Sequence, residues 1–389
     1  MLPRIITTQQ DLEEICQSFQ ADVSDFICID TEFVRQTTYW PELGLIQMAS
    51  VNHAVVIDPL SNDLSLAPLL PLLRDQKIIK VFHSGRQDME IFWMKFKELP
   101  SPIFDTQIAA TFLGLGTGMG YERLVDNLLG ITVDKSWQHT DWLRRPLSEE
   151  QLKYALNDVL YMRQLYPLLL QQLKNTGRLE WMQDELDILT REETYSIKSS
   201  EVWKRVKHQF RNWKELSILK DLCAWREEKA KEHALNRTAL IEDRIILGLC
   251  QTSLLDKKEC EEMLLRGRQF VLRKNLFEDF FSIYQKAHHL IENDSEIKKT
   301  RHLEMKDALK KIYPKILPES VRERASKLKN ILNERANELG IPSYLIANRS
   351  DIESFSRAPL RSHKILSGWR KDIWNDQLEM FFDEEKSNN

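Results

Sequence analysis

The sequence predicts an α/β domain, a mixed sheet flanked by helices, followed by two all-helical modules. Three observations predict it. Short apolar runs of strand length crowd the early part of the chain, helical patterns interleave with them, and after residue 210 no convincing strand remains.

In order, Arg4 to Ile6 reads as a short strand and Asp11 to Phe19 as a helix. Phe26-Ile-Cys-Ile29 is a continuous apolar run, the pattern of a strand covered on both faces, and it leads into Asp30 and Glu32. Leu43 to Val51 and His53 to Asp58 are β-rich runs meeting at Asn52, a hairpin. Leu66 to Leu73 is apolar and helical, Lys77 to Phe82 a strand, Arg86 to Phe96 a helix, and Ile103-Phe104 a short strand entering the helix Thr106 to Leu113. Gly114, Gly116, Gly118 and Gly120 do not fit a phosphate-binding loop, since their spacing is wrong and no Gly-Lys-Ser/Thr follows. They read as a flexible connector. Ser148-Glu-Glu-Gln151 is a capping box opening a long helix that passes Pro167 and stops near Gly177.

The expected organisation is therefore residues 1–189 as the α/β domain and residues 190–209 as a polar linker. Residues 210–290 form a first helical module, and residues 301–382 a second after a connecting stretch at 291–300. A faint repeat links the modules: Leu240-Ile-Glu-Asp-Arg244 matches Leu345-Ile-Ala-Asn-Arg349.

Composition narrows the function classes. The 389-residue chain has five scattered cysteines and no CxxC pair, which argues against a zinc site or a disulfide framework. Its N-terminus lacks a secretory apolar core, and no run approaches membrane-spanning length, so the expected location is cytoplasmic with no membrane association. The net charge of −4 hides an asymmetry: residues 1–209 hold 21 basic and 29 acidic residues, whereas residues 298–371 hold 18 and 8. An acidic front with a basic stretch behind it suits a metal-using enzyme carrying a polyanion-binding module, although solvated helical surfaces give the same balance.

Asp30 and Glu32, two apart on a strand, project the same way, and two close carboxylates are costly to bury unless a cation or donors sit between them. Asp88 falls early in the helix after the strand ending at Phe82. Tyr154 and Asp158 are i, i+4 and share a helix face. Each alone has an ordinary structural reading: a surface acid, a core tyrosine, a solvated helix acid.

Together FICIDTEF, VFHSGRQDMEIF and QLKYALNDVLYM resemble the three motifs of the DEDD exonucleases, which have a ribonuclease H-like fold, and Tyr154 marks the DEDDy branch. The flanks Thr38-Tyr-Trp-Pro41, Leu45-Ile-Gln47 and the stretch from Ser136 to Leu147 resemble the ribonuclease D family, and the segments after residue 210 resemble HRDC modules. The resemblance implies a 3′→5′ exoribonuclease that releases nucleoside 5′-monophosphates, acting on RNA and typically on tRNA precursors with single-stranded 3′ ends. It implies two divalent ions, Mg²⁺ or Mn²⁺, held by Asp30, Glu32, Asp88 and Asp158. Tyr154 would hold the attacking water, and the HRDC modules would bind RNA. Hard ions prefer such carboxylate oxygens, and paired ions can serve both the nucleophile and the leaving oxygen.

His83, Gln47 and Trp137 are candidates for contacting the terminal nucleotides, and Trp40 for stacking, while each also fits a packing role. Asp105 reads as a helix N-cap. Two other readings stand beside this one: a DEDDy DNA exonuclease, which the catalytic residues alone do not separate from an RNA enzyme, and a non-catalytic nucleic-acid-binding protein, which the full motif set disfavours.

Overall fold

A computed structural model of the chain describes residues 4–36, 38–138, 140–196, 198–266, 274–292, 295–312, 317–359, 361, 363–374, 377–379 and 381–382. Six strands form one sheet: β1 (Arg4–Ile6), β2 (Phe26–Val34), β3 (Glu42–Ala49), β4 (Ala54–Ile57), β5 (Ile79–Phe82) and β6 (Ile103–Asp105). Their order is β1-β4-β3-β2-β5-β6, so β2 lies inside the sheet between β3 and β5. β3 and β4 pair antiparallel as a hairpin; β1 with β4, β2 with β5 and β5 with β6 pair parallel. The expected mixed sheet is present, and Phe26 to Ile29 are all buried, as a strand covered on both faces requires.

Helices accompany the sheet along residues 1–189: α1 (Gln9–Ala21), α2 (Leu69–Arg74), α3 (Arg86–Phe96), α4 (Thr106–Phe112), α5 (Tyr121–Leu129), α6 (Glu149–Asn175) and α7 (Gln183–Leu189). Ser148 caps α6 in a complete capping box with Gln151, and the helix runs through Pro167. Its buried stripe includes Leu152, Ala155, Val159, Met162, Leu165 and Leu169, and it carries Asp158 on the same side. Helix α5 is an addition to the elements expected from the sequence.

The glycine run before α5 is not a slack connector. Gly114, Gly116 and Gly118 take positive φ, and a Cβ on Gly114 would come within 2.4 Å of the Gly340 carbonyl oxygen. Only glycine permits both that conformation and that approach.

The chain divides into two compact units. One comprises Met1–Phe33, Leu43–Tyr195 and Leu317–Asn389; the other comprises Val34–Glu42 and Ser196–Ile316. The second unit contains a 3-10 turn (Ser199–Arg205) and helices α8 (Trp213–Glu232), α9 (Arg237–Leu240), α10 (Asp243–Gln251), α11 (Lys257–Leu265), α12 (Lys274–Glu292) and α13 (Ser295–Ile312). Val202, Trp203, Val206 and Phe210 are buried in its core. Residues 198–209 are thus packed structure, and the polar-linker expectation for 190–209 fails there: its scattered apolar side chains are the ones that enter the core. The stretch at 291–300 likewise belongs largely to helices. α13 stays with this unit, with Met305 buried and Arg301 paired to Asp221 at 2.6 Å.

The last segment holds α14 (Glu319–Leu339), α15 (Ser343–Ile346), α16 (Arg349–Arg357) and α17 (Trp369–Asp372). It is part of the first unit: Leu328, Leu332, Phe355 and Phe381 share one buried cluster with the sheet. Trp181 and Trp369 stack at 4.5 Å, with the Arg178 guanidinium 5.3 Å from one ring and that of Arg370 4.5 Å from the other. Buried Arg370 also donates to the Leu345 and Ile346 carbonyls and pairs with Asp184. The boundary expected at residue 301 therefore falls nearer 317. Among the described residues, no helix is long and apolar enough to cross a membrane.

Candidate active site

The sheet interior brings the acids of β2 against the helix that covers them. Asp30 and Glu32 project together, as alternation along a strand requires, and a carboxylate oxygen from each lies within 4.8 Å of one from Asp158 on α6. Asp88, in the first turn of α3, lines the same cleft, and the Thr31 hydroxyl donates to its Oδ1. The cleft has a volume of about 560 Å³, within the usual range for a small-ligand pocket.

Asp105 fixes the approach to Asp88. It caps α4 by accepting from the Gln107 and Ile108 amides, as expected, and also accepts from the Ser84 and Gly85 amides at 3.2 and 2.9 Å. Those amides belong to the tight turn that launches α3, where Ser84 has φ of 56°. One carboxylate thereby ties two helix starts together.

The electrostatics of the cleft are those of unneutralised acids. Burial, reinforced by Asp88, Asp158 and Glu32, raises the Asp30 pKa far above the carboxylate range. Burial and the charges of Asp158 and Asp88 push Glu32 to about 9. Burial, with Glu122 nearby, pushes Asp158 to about 8, and burial lifts Asp88 to about 6 although the Thr31 hydrogen bond opposes it. An all-oxygen donor set whose protons are held only by desolvation and mutual repulsion fits a hard divalent cation. Asp30, Glu32 and Asp158 are placed to hold one directly.

Tyr154 lines the cleft one helical turn before Asp158. Burial and the charges of Asp158, Glu32 and Asp30 raise its phenol pKa above the ordinary value, so the hydroxyl keeps its proton. Its ring lies 6.1 Å from that of Trp142, which is buried and has its carbonyl against Gly44. His83 also lines the cleft, with Nδ1 2.8 Å from the Thr106 hydroxyl and its ring edge-on to Tyr121; burial lowers its pKa, leaving it neutral at pH 7. Gln47 and Trp137 are not among the lining residues. Gln47 is fully buried, and its amide has no hydrogen-bond partner among the described residues. Trp137 is partly exposed beside Gln138, which does line the cleft. Trp40 belongs to the second unit, edge-on to Tyr39.

Several residues of the site lie outside the sequence expectations. Thr31 stands between the two acids of β2 and holds Asp88. Tyr121 donates to the backbone carbonyls of Asp158 and Asn157, fastening α6 where it carries its acid. Glu122 and Lys135 pair at 2.6 Å on the cleft wall. The sequence signal for Tyr121 is its place directly behind the glycine run, at the start of α5.

This fold and this acidic cleft define a 3′–5′ exonuclease domain, and the sequence-family model described as 3′-5′ exonuclease matches residues 3–174. A ribonuclease D of Bartonella henselae is 39% identical, over 97% of this chain and 89% of its own length. A ribonuclease D of Granulibacter bethesdensis is 33% identical over 96% and 90%. The crystal structure of Escherichia coli RNase D, described as an exoribonuclease involved in structured RNA processing, matches with a TM-score of 0.78 and 27% identity, covering 99% of both chains. The chain belongs to the ribonuclease D family.

Proposed function

We propose that the protein is a 3′→5′ exoribonuclease that hydrolyses the terminal phosphodiester of RNA and releases nucleoside 5′-monophosphates. The carrying observation is the convergence of Asp30, Glu32 and Asp158 within 4.8 Å on facing elements of a cleft that also holds Asp88. In this reading the four acids hold two divalent ions, Mg²⁺ or Mn²⁺. When bound, these ions acidify the attacking water and stabilise charge on the leaving oxygen. The Tyr154 hydroxyl, kept protonated, orients that water by hydrogen bonding rather than removing its proton. Thr31 and Asp105 position Asp88, and Tyr121 positions Asp158. Neutral His83 offers a hydrogen bond to the terminal nucleotide.

tRNA precursors with single-stranded 3′ ends are the proposed substrates, met in the cytoplasm. The HRDC-like helices α8 to α13 and α14 to α17 supply phosphate contacts that hold the RNA without reading its bases. The similarity to relatives named ribonuclease D supports RNA over DNA.

The test is a time course on 5′-labelled single-stranded RNA and matching DNA, with and without a 3′-phosphate, in Mg²⁺ or EDTA. The expected result is a ladder shortening from the 3′ end of RNA, abolished by EDTA and by the blocked end. Equal degradation of DNA would favour the DNA-exonuclease reading. RNA binding without cleavage would leave the acid cluster as a non-catalytic remnant.

A further inference from the structure

Helices α14, α15 and α16 enclose a second concave site of about 580 Å³, made of residues from 317 to 353 alone. Its floor is apolar, from Leu332, Ala347 and Ile352. Its walls are basic. Arg322 and Lys329 lie seven apart on α14, two turns along one face, and neither side chain has an ion pair or hydrogen bond among the described residues. Arg349 stands across from them at the start of α16. Among the lining residues the one acid is Glu353, and it is paired to Arg349 at 2.8 Å. Tyr344 lies at the site with 53% of its surface exposed.

Basic side chains around an apolar floor with an exposed ring match one ligand chemistry: a phosphodiester chain whose base stacks on an aromatic face. We infer that this groove binds a single-stranded stretch of the RNA substrate, with phosphates on Arg322 and Lys329 and a base on Tyr344. The inference rests on the exoribonuclease reading above and adds a binding site outside the acidic cleft. A concave site of this volume takes one or two splayed nucleotides and excludes a base-paired helix. The Asn348 side chain is already committed to capping α16. Phosphate contacts from Arg322 and Lys329 carry no sequence information themselves.

The experiment uses the full chain. Binding of a labelled single-stranded RNA is measured in EDTA across a salt series, and hydrolysis of a dinucleotide is measured in Mg²⁺. Arg322→Glu with Lys329→Glu is expected to weaken binding at least tenfold at low salt. It should also make the log–log salt slope shallower by about 1.4, at roughly 0.7 for each phosphate that is no longer neutralised. Tyr344→Ala should weaken binding roughly tenfold with the slope unchanged, and Tyr344→Phe should keep wild-type affinity. Dinucleotide hydrolysis should match wild type in all three, because the dinucleotide needs only the acidic cleft. Unchanged RNA affinity and slope in folded variants would overturn the inference. A wild-type chain that binds RNA but does not cleave the dinucleotide would sink the enzymatic reading instead, leaving the binding data to judge the groove.

Discussion

Two of the places where the molecule buries carboxylates have opposite consequences. In the cleft of the first unit Asp30, Glu32, Asp88 and Asp158 face one another, and no ion pair to Lys or Arg is found for any of them among the described residues. In the second unit Glu227, 1% exposed, accepts from the Tyr39 hydroxyl and the Arg237 guanidinium, with Lys231 at 3.7 Å. Burial alone would raise the Glu227 pKa, but the hydrogen bonds from Arg237 and Tyr39 and the adjacent cations outweigh it and hold the pKa below the ordinary value. The first arrangement draws no positive side chain to its acids among the described residues; the second supplies its own. A buried acid with its cation in place is architecture, and buried acids without one are a binding site for a cation.

The largest effect expected from this contrast is on catalysis. Asp30→Asn should lower kcat on single-stranded RNA by at least about a thousandfold, because it removes a ligand from the centre of the cluster while keeping its shape. The metal-free variant should be no less stable than the parent, since the raised pKa keeps Asp30 protonated there and the substitution exchanges one neutral group for another of the same shape. A clear drop in the urea midpoint in EDTA would show that Asp30 has a structural partner and would blur the contrast.

Glu227→Gln should do the reverse. Removing one member of a buried charge network strands the others, at a cost of about 3 kcal/mol. Urea denaturation should show that loss, while kcat on a dinucleotide, corrected for the folded fraction, stays at the parental value.

The pH dependences should also run in opposite senses. The cleft acids have folded pKa values above their unfolded ones, so without metal the folded state binds the extra protons and their contribution is most favourable at low pH. It is lost as pH rises from about 4 through the values near 8 and 9 of Asp158 and Glu32. Glu227 has a lowered folded pKa, so its contribution is present above about pH 4.5 and is lost on acidification. Hydrogen exchange in EDTA should show the β2 amides less protected at pH 8 than at pH 5.5 after correction for intrinsic rates, with no such loss in α8. Mg²⁺ at a hundredfold excess over its Kd should restore about 2.7 kcal/mol, with a larger effect at the higher pH, where fewer protons must leave. Equal protection of β2 at both pH values in EDTA would count against the unneutralised cluster.

The two sites are not equally legible in the sequence. The acidic cleft is readable because each acid sits within a local pattern: a strand ending in alternating acids, a helix start, an i, i+4 pair on a capped helix. The Glu227 network is not, because its partner Tyr39 is 188 residues away and no periodicity joins them. Residues 34–42 look like a simple link between β2 and β3, yet they belong to the second unit. The last helices mislead for the same reason. α15 and α16 repeat the local design of α9 and α10, a short helix, two extended residues and a second helix, so similar sequence predicts a similar independent module. Their burial partners, set by Trp181 and Trp369 and by the Gly114–Gly340 approach, place them in the core of the sheet instead. Local pattern decides which element forms, and long-range packing decides the core it joins.

The smallest effect separates positioning from proton transfer inside the cleft. Tyr154→Phe keeps the ring against Trp142 and removes only the hydroxyl. If the phenol orients the attacking water, kcat should fall by about tenfold to a hundredfold, with KM little changed and the pH profile keeping its shape. A fall of that size accompanied by loss of an ionisation from the kcat profile would instead make Tyr154 a general base, which would require the bound metals to lower a pKa that the neighbouring acids raise. Activity within a few-fold of the parent would show the hydroxyl to be dispensable and would leave the carboxylates alone responsible for the chemistry.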